Sequence, residues 1–332
     1  MERIAVIGAG SWGTTAAALA ARSTPTVLWS RRPEVAEAVS RDHRNPIYLR
    51  DHELPEGLTA TADLLQAVDG ADAVVMAVPS HGFREVFSAA ASRIAPGTPI
   101  VSLTKGIEQI TLATMTQVVA EVSPNHDRGR IGVMTGPNLA SEIAAGQPTA
   151  AVVAFRDQDA AVDLQRVFMG PTFRVYTHDD VAGCELGGAL KNVMAIAAGM
   201  SDGLGFGDNT RAALITRALA ELTRLGTALG GRPSTFAGLA GMGDLIATCI
   251  SSNSRNHRVG FGMARGMSLE AIVAEMAMVA EGIKTTRAVL DLAGRQGIEM
   301  PIASHVGMVL YEGMDPKDAV LRLMTRGAKA ES

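Results

Sequence analysis

Ile4-Ala5-Val6-Ile7-Gly8-Ala9-Gly10-Ser11-Trp12-Gly13 opens the chain with an apolar run and three glycines in G-x-G-x-x-G spacing. Small and apolar residues over 14–21 follow at once and predict a helix. Strand, tight turn and helix is the setting in which this spacing acquires meaning. Gly8 then allows the turn, Gly10 lets a pyrophosphate approach bare backbone, and Gly13 lets the helix pack close to the strand. The N–H groups at the helix start would bind the pyrophosphate. The stretch reads as a dinucleotide site.

The next strand pattern, 26–30, runs into Arg31-Arg32-Pro33-Glu34. A site that prefers NAD places an acid near here, about 20 residues beyond the glycines, for the ribose 2′-OH. This chain has two guanidiniums instead, which suit the 2′-phosphate of NADP and would stack on adenine. A pair of solvated arginines opening a helix at Pro33 is the plainer reading. NADP is the preferred expectation, with NAD tolerated.

The chain has 332 residues, 47% of them hydrophobic, and a formal net charge of −4. That size suits two domains, each burying its own core. Mild acidity argues against general nucleic-acid and membrane-surface binding, since both need a basic face. No uninterrupted apolar stretch reaches the roughly 18 residues of a span, so no stable membrane insertion is expected. The first strand begins near Arg3, which leaves no room for a cleaved signal. Cys184 and Cys249 are the only cysteines and read as reduced thiols of a cytoplasmic protein. The histidines fall in no ligand spacing, so no metal is expected.

Strand patterns at 58–61, 73–78, 100–103, 131–134, 150–155 and 173–176 alternate with helical patterns at 34–41, 83–94, 112–122 and 160–169. Such alternation predicts an α/β fold: a Rossmann-type, doubly wound, mostly parallel sheet with right-handed crossovers. Strand signals stop near Asp180. Helical patterns follow at 185–199, 210–229, 268–278, 285–296 and 316–324. The expected division is a dinucleotide-binding domain over 1–182 and an all-helical substrate domain over 183–332.

Substrate chemistry belongs in the crevice beyond the strand C-termini, facing the second domain. In Gly187-Gly188-Ala189-Leu190-Lys191-Asn192, the glycines lie one turn before Lys191 and would leave room for a ligand at the amine. Desolvation or a second cation would lower the amine pKa toward that of a useful proton donor. A lysine snorkelling from an amphipathic helix is the commoner case. Only five of the 30 basic residues are lysines, and Lys105 and Lys191 both fall where a substrate would sit. Lys105 follows the strand pattern at 100–103, and Gly136-Pro137-Asn138 follows 131–134, with Asn138 placed to cap the next helix. Val78-Pro79-Ser80-His81 reads as a structural turn. In the helical part, Asp244 and Thr248 stand one turn apart and could bind hydroxyls together. Arg255, between Ser254 and Asn256, suits a phosphate. Each of these stretches also reads as a polar loop, and Cys249 as a small buried apolar group.

Together these pieces resemble the bacterial NAD(P)-dependent glycerol-3-phosphate dehydrogenases over nearly the whole chain. The matching stretches are Gly8-Ala9-Gly10-Ser11-Trp12-Gly13, Leu103-Thr104-Lys105-Gly106, Gly136-Pro137-Asn138 and Gly188-Ala189-Leu190-Lys191-Asn192. Further on come Gly241-Met242-Gly243-Asp244-Leu245, Ser254-Arg255-Asn256 and Val279-Ala280-Glu281-Gly282. Asn45-Pro46-Ile47-Tyr48-Leu49 also looks like a loop of that family.

The resemblance implies reversible hydride transfer between the nicotinamide and C2 of dihydroxyacetone phosphate or sn-glycerol 3-phosphate. It makes Lys191 the proton carrier, with Asn192 beside it. Lys105, Gly136, Asp244, Ser254, Arg255 and Asn256 would contact substrate. Ser11, Trp12, Arg31, Arg32, Ala140, Arg255, Val279 and Glu281 would hold the dinucleotide. The family usually has a small hydroxyl residue where this chain has Asn138, although an amide can also bond a ligand oxygen. A homodimer through apolar C-terminal helices is plausible. Two rival readings stand: a ketopantoate reductase or beta-hydroxyacid dehydrogenase, which also uses a helix lysine, and a non-catalytic sensor of NADP(H).

Overall fold

The computed structural model describes residues 1–276, 280–327 and 330. The chain opens with β1 (Ile4–Ile7), α1 (Ser11–Ala20), β2 (Thr26–Trp29) and α2 (Pro33–Asp42). Pro33 occupies the first turn of α2, where a missing N–H costs nothing. A small hairpin of β3 (Arg44–Asn45) and β4 (Leu49–Glu53) stands apart from the main sheet. Then β5 (Leu58–Thr61), α3 (Leu64–Val68), β6 (Ala73–Met76), α4 (Ser80–Ala90), β7 (Ile100–Ser102) and α5 (Met115–Val122) alternate. The alternation ends with β8 (Ile131–Thr135), α6 (Ala140–Ala144), β9 (Thr149–Ala154), α7 (Gln158–Phe168) and β10 (Phe173–His178).

The eight-stranded sheet has the order β10-β9-β8-β7-β6-β1-β2-β5. β1 and β6 are buried throughout, as expected of strands covered on both faces. Alternate residues feed two cores: Val6, Leu28 and Val75 on one face, Ala5, Ile7 and Val74 with Phe83 and Phe87 on the other. Each fully buried phenylalanine contributes about 1.5–3 kcal/mol.

One pairing departs from parallel order. β9 runs antiparallel to β8, with Met134 opposite Val153, and β10 runs parallel to β9. The connection explains it. α6 has five residues and β8 also has five, so the helix rises only about 7.5 Å beside a strand of roughly 17 Å. It cannot carry the chain back to the start of β8, and the chain turns round instead. The helical pattern expected from 112 also begins late: Leu112 has φ +60°, and Thr114 caps α5 in a box with Gln117.

From Val181 on, the regular elements among the described residues are all helices. α8 (Val181–Gly203) and α9 (Asp208–Ala228) lead to α10 (Pro233–Phe236), a π turn at Leu239–Gly243, α11 (Asp244–Ile250) and α12 (Arg255–Ala264). α13 (Leu269–Ala274), α14 (Glu281–Gln296), α15 (Pro301–Glu312) and α16 (Pro316–Met324) complete the set. α8 is long and apolar enough to cross a membrane, although Glu185, Lys191 and Asn192 interrupt its apolar run; most of it is buried inside the protein. Its side chains Leu190 and Val193 join Leu222, Phe236 and Val306 in a separate core of the helical part. α12 crosses α8 backbone to backbone: a Cβ on Gly260 would lie 1.9 Å from the Ile196 carbonyl oxygen, and one on Gly199 would lie 1.9 Å from that of His257. That crossing brings the start of α12 to the middle of α8.

Candidate active site

The three fingerprint glycines play three different parts. Gly8 has φ +120°, and a Cβ there would be 2.7 Å from the Ala77 carbonyl oxygen beyond β6. A Cβ on Gly13 would strike the Gly8 oxygen, so this glycine seats α1 on the turn. Gly10 meets nothing within 4 Å, which leaves its backbone open to a ligand at the start of α1. The turn therefore fits a pyrophosphate. Ser11 begins α1, and the Trp12 ring packs tilted against Phe173 at 6.3 Å.

Asn45 holds this turn from outside, and no role was expected of it beyond its loop. Its buried amide donates to the Ala9 carbonyl at 3.0 Å and to Thr14 Oγ1 at 2.8 Å, while its Oδ1 accepts from the Ile47 and Tyr48 N–H groups. The sequence signal was its place at the head of the Asn45-Pro46-Ile47-Tyr48-Leu49 loop, which means nothing until the β3–β4 hairpin packs against α1.

Arg31 and Arg32 leave the end of β2 exposed, with Arg32 capping α2 and its N–H held by Ser30 Oγ at 3.2 Å. Ala140 starts α6, and its carbonyl accepts from Thr15 Oγ1 of α1 at 3.4 Å. Val279 lies outside the described residues. Glu281 begins α14 and reaches the other domain: its carboxylate accepts the Ser80 hydroxyl at 2.6 Å and the Ser80 N–H at 3.2 Å. The 78–81 turn is thus structural and also ties the two halves of the chain together.

The centre of the site is a carboxylate between two lysines. Asp244, at the start of α11 and 1% exposed, accepts Lys105 at 2.6 Å on one oxygen and Lys191 at 3.0 Å on the other. Lys191 also donates to Thr248 Oγ1, and that hydroxyl donates to the Asp244 carbonyl at 2.7 Å. Lys105 bonds the Gly136 carbonyl at 2.8 Å, where Gly136 has φ +133°. Burial brings the Lys191 ammonium down to about 8, Asp244 opposing and Lys105 assisting. Asp244 and Thr248, which the sequence offers as a pair that could bind hydroxyls together, here engage the lysines and each other.

The glycines before Lys191 do a different job from the expected one. A Cβ on Gly187 would be 2.6 Å from the Ala240 carbonyl, and one on Gly188 would be 2.7 Å from Thr135 Oγ1 and 3.4 Å from Lys105 Cγ. Their space is filled by the π turn and by the Lys105 stem, so they allow close packing and leave no opening for a ligand. Asn138 does not cap α6 either. Leu139 is the cap, because the chain after Gly136 turns one residue later, and the Asn138 amide has no protein partner among the described residues.

An amide chain joins the helices. Asn192 donates to the Lys105 carbonyl at 3.1 Å and accepts from Asn256 at 2.9 Å; Asn256 in turn accepts the Gly282 N–H at 2.9 Å. Ser254 caps α12 by accepting from the His257 N–H at 3.3 Å, and Arg255 stands exposed in the first turn. Cys249 is 1% exposed, and burial pushes its thiol up to about 12.

A dinucleotide turn in the α/β part of the chain, joined to a helical part that carries a buried, lowered lysine, defines a two-domain dehydrogenase. The profile of the NAD-dependent glycerol-3-phosphate dehydrogenase N-terminus matches residues 3–161, and that of its C-terminus matches 180–321. The chain belongs to the NAD-dependent glycerol-3-phosphate dehydrogenase family. It is 54% identical over 304 residues to glycerol-3-phosphate dehydrogenase (NAD(P)+) 2 of Sphingopyxis alaskensis, covering 92% of this chain and 90% of that one. Glycerol-3-phosphate dehydrogenase (NAD(P)+) of Geobacter metallireducens is 50% identical and is matched over 99% of both chains. The crystal structure of glycerol-3-phosphate dehydrogenase from Coxiella burnetii superposes with a TM-score of 0.92 at 38% identity, covering 98% of this chain and 99% of that one. A ketopantoate reductase from Ralstonia eutropha shares the fold alone, at a TM-score of 0.56 and 15% identity.

Proposed function

We propose that this chain interconverts dihydroxyacetone phosphate and sn-glycerol 3-phosphate with NAD(P)H, for glycerophospholipid synthesis. The observation that carries the proposal is the Lys105–Asp244–Lys191 cluster buried at the strand C-termini. The nicotinamide, when bound, supplies or accepts the hydride at C2. Lys191 Nζ gives a proton to the C2 oxygen in reduction and takes it back in oxidation, and Lys105 adds charge that stabilises the oxygen as it becomes negative. Asp244 keeps both ammonium groups in place, and Thr248 aims Lys191.

Gly136, Asn138, Asn192, Ser254 and Asn256 surround the substrate in this reading. The unpaired Asn138 amide supports it, since a buried amide without a partner is costly and a ligand would satisfy it. Arg255 binds the substrate phosphate and the dinucleotide together, so Arg255→Lys should raise KM for the substrate sharply. Gly8, Gly10, Ser11, Trp12, Gly13, Arg31, Arg32, Lys105, Ala140, Val279 and Glu281 hold the dinucleotide, with NADP preferred. The domains divide at 182, and the protein acts in the cytoplasm, as a homodimer through its C-terminal helices.

The test is NADPH oxidation on adding dihydroxyacetone phosphate, with the parent and Lys191→Ala. The parent should turn over, and the variant should lose about 10²- to 10⁴-fold, the usual contribution of a proton-transfer group. A silent parent would remove the assignment and favour a sensor. A parent-like variant would remove only Lys191 as the proton carrier.

A further inference from the structure

We infer that Arg84 and Glu108 form a positioning pair that holds Lys105 at the reacting centre, an inference that rests on the proposed reaction. Arg84, on α4, donates to Glu108 from Nε at 2.8 Å and from Nη2 at 2.7 Å, a planar two-point pairing that fixes orientation as well as distance. The same Nη2 reaches Glu121 of α5 at 2.7 Å. The pair therefore fastens the loop over 103–114 to both helices beneath it.

Lys105 lies three residues before Glu108 in this loop, and the intervening chain has no slack. Thr104 Oγ1 donates to the Val78 carbonyl at 2.7 Å, and the Lys105 carbonyl is held by Asn192. A Cβ on Gly106 would lie 2.7 Å from Ser80 Cβ and 3.1 Å from Glu281 Oε2, so the backbone passes through a close-fitting gap. Ile107 then bridges Thr114 across the loop.

Glu108 closes the far side. Its N–H donates to the Ala113 carbonyl at 2.9 Å, its carbonyl accepts the Leu112 N–H at 2.9 Å, and its carboxylate accepts the Thr111 hydroxyl. Leu112 holds φ +60°, a strained region for a branched residue, which persists only where its surroundings over-determine it. Neutralising Glu108 loosens that constraint. The strained turn then relaxes, and the displacement passes through the tight Gly106 segment to Lys105.

The experiment is a double-mutant cycle on kcat/KM for dihydroxyacetone phosphate, using Glu108→Gln in the parent and in Lys105→Met. In the parent background Glu108→Gln should lower kcat/KM by about 10- to 100-fold, the scale of a small misplacement. In Lys105→Met it should cost nothing more, because the group it positions is already gone. Arg84→Lys, which keeps the charge but loses the planar pairing, runs through the same cycle and covers the case of a Glu108 variant that folds poorly. Equal losses in both backgrounds, or no loss in the first, would overturn the inference. Parent turnover is read separately, so failure of the proposed reaction is distinguishable from failure of the pair.

Discussion

Lys191 Nζ stands 3.0 Å from Asp244 Oδ1, while Lys105 occupies the opposite oxygen of the same carboxylate at 2.6 Å. Two ammonium groups thus share one buried acid, and the cluster carries an excess of positive charge. That excess both suits an oxygen that becomes negative and favours release of a proton from the more buried lysine.

The pH profile follows from it. Lys191 is brought down from 10.5 to about 8, chiefly by burial. Reduction needs the charged amine, so its kcat/KM should hold below about pH 8 and fall above it; oxidation needs the neutral amine and should rise through the same range. Lys105→Met removes the like charge, and the inflection should move upward. An inflection that stays in place would mean that Lys105 does not act on Lys191.

Gly187 and Gly188 should respond differently to alanine. The Gly187 Cβ would meet the Ala240 backbone at 2.6 Å, and α8 must move off the π turn. Overpacking of this kind costs about 1–3 kcal/mol, read as a lower Tm. Gly188→Ala meets the Thr135 side chain and the Lys105 stem, so it should lower kcat/KM more than Tm. Identical behaviour of the two variants would show that neither glycine is tied to Lys105.

Arg31→Ala with Arg32→Ala should raise KM for NADPH about tenfold or more, since charge-assisted bonds to phosphate contribute roughly 1.5–3 kcal/mol, and leave KM for NADH nearly unchanged. Parallel increases for both cofactors would contradict a contact with the 2′-phosphate.

Glu221, 4% exposed, accepts the Ile302 N–H at 2.7 Å and the Ala303 N–H at 3.3 Å where α15 starts. Burial nevertheless raises its carboxyl from 4.5 to about 7. The folded protein therefore binds this proton more tightly than the unfolded chain. The resulting stabilisation is fully present below about pH 4.5 and is lost as pH rises through about 7. It amounts to about 3 kcal/mol at roughly 1.4 kcal/mol per pKa unit. Glu221→Gln should flatten the fall in Tm between about pH 5 and pH 8, measured by calorimetry; a curve parallel to the parent's would rule this out.

Much of the first half of the molecule was legible because its signals are local. Strand patterns of four to six residues are found within a residue or two of their places, since burial on both faces demands continuous apolar runs. The reversed direction of β9 was not legible, because direction depends on how far α6 can carry the chain. Short helices such as α3 and α10 were missed for a related reason: five and four residues show too little of a helical period to register.

For the site, residue types told more than contacts did. The glycine spacing, the absence of an acid after β2 and the rarity of lysine are properties of the chain alone, and they pointed to a dinucleotide, to arginine chemistry and to Lys105 and Lys191. Partnership is another matter. Lys105, Lys191 and Asp244 come from three separate segments, and 139 residues separate Lys105 from Asp244. Their shared charge, the lowered lysine, the filled space at Gly187 and Gly188 and the Asn45 brace exist only once sheet and helices pack. Electrostatic energy depends on distance and burial, and no linear pattern carries either quantity.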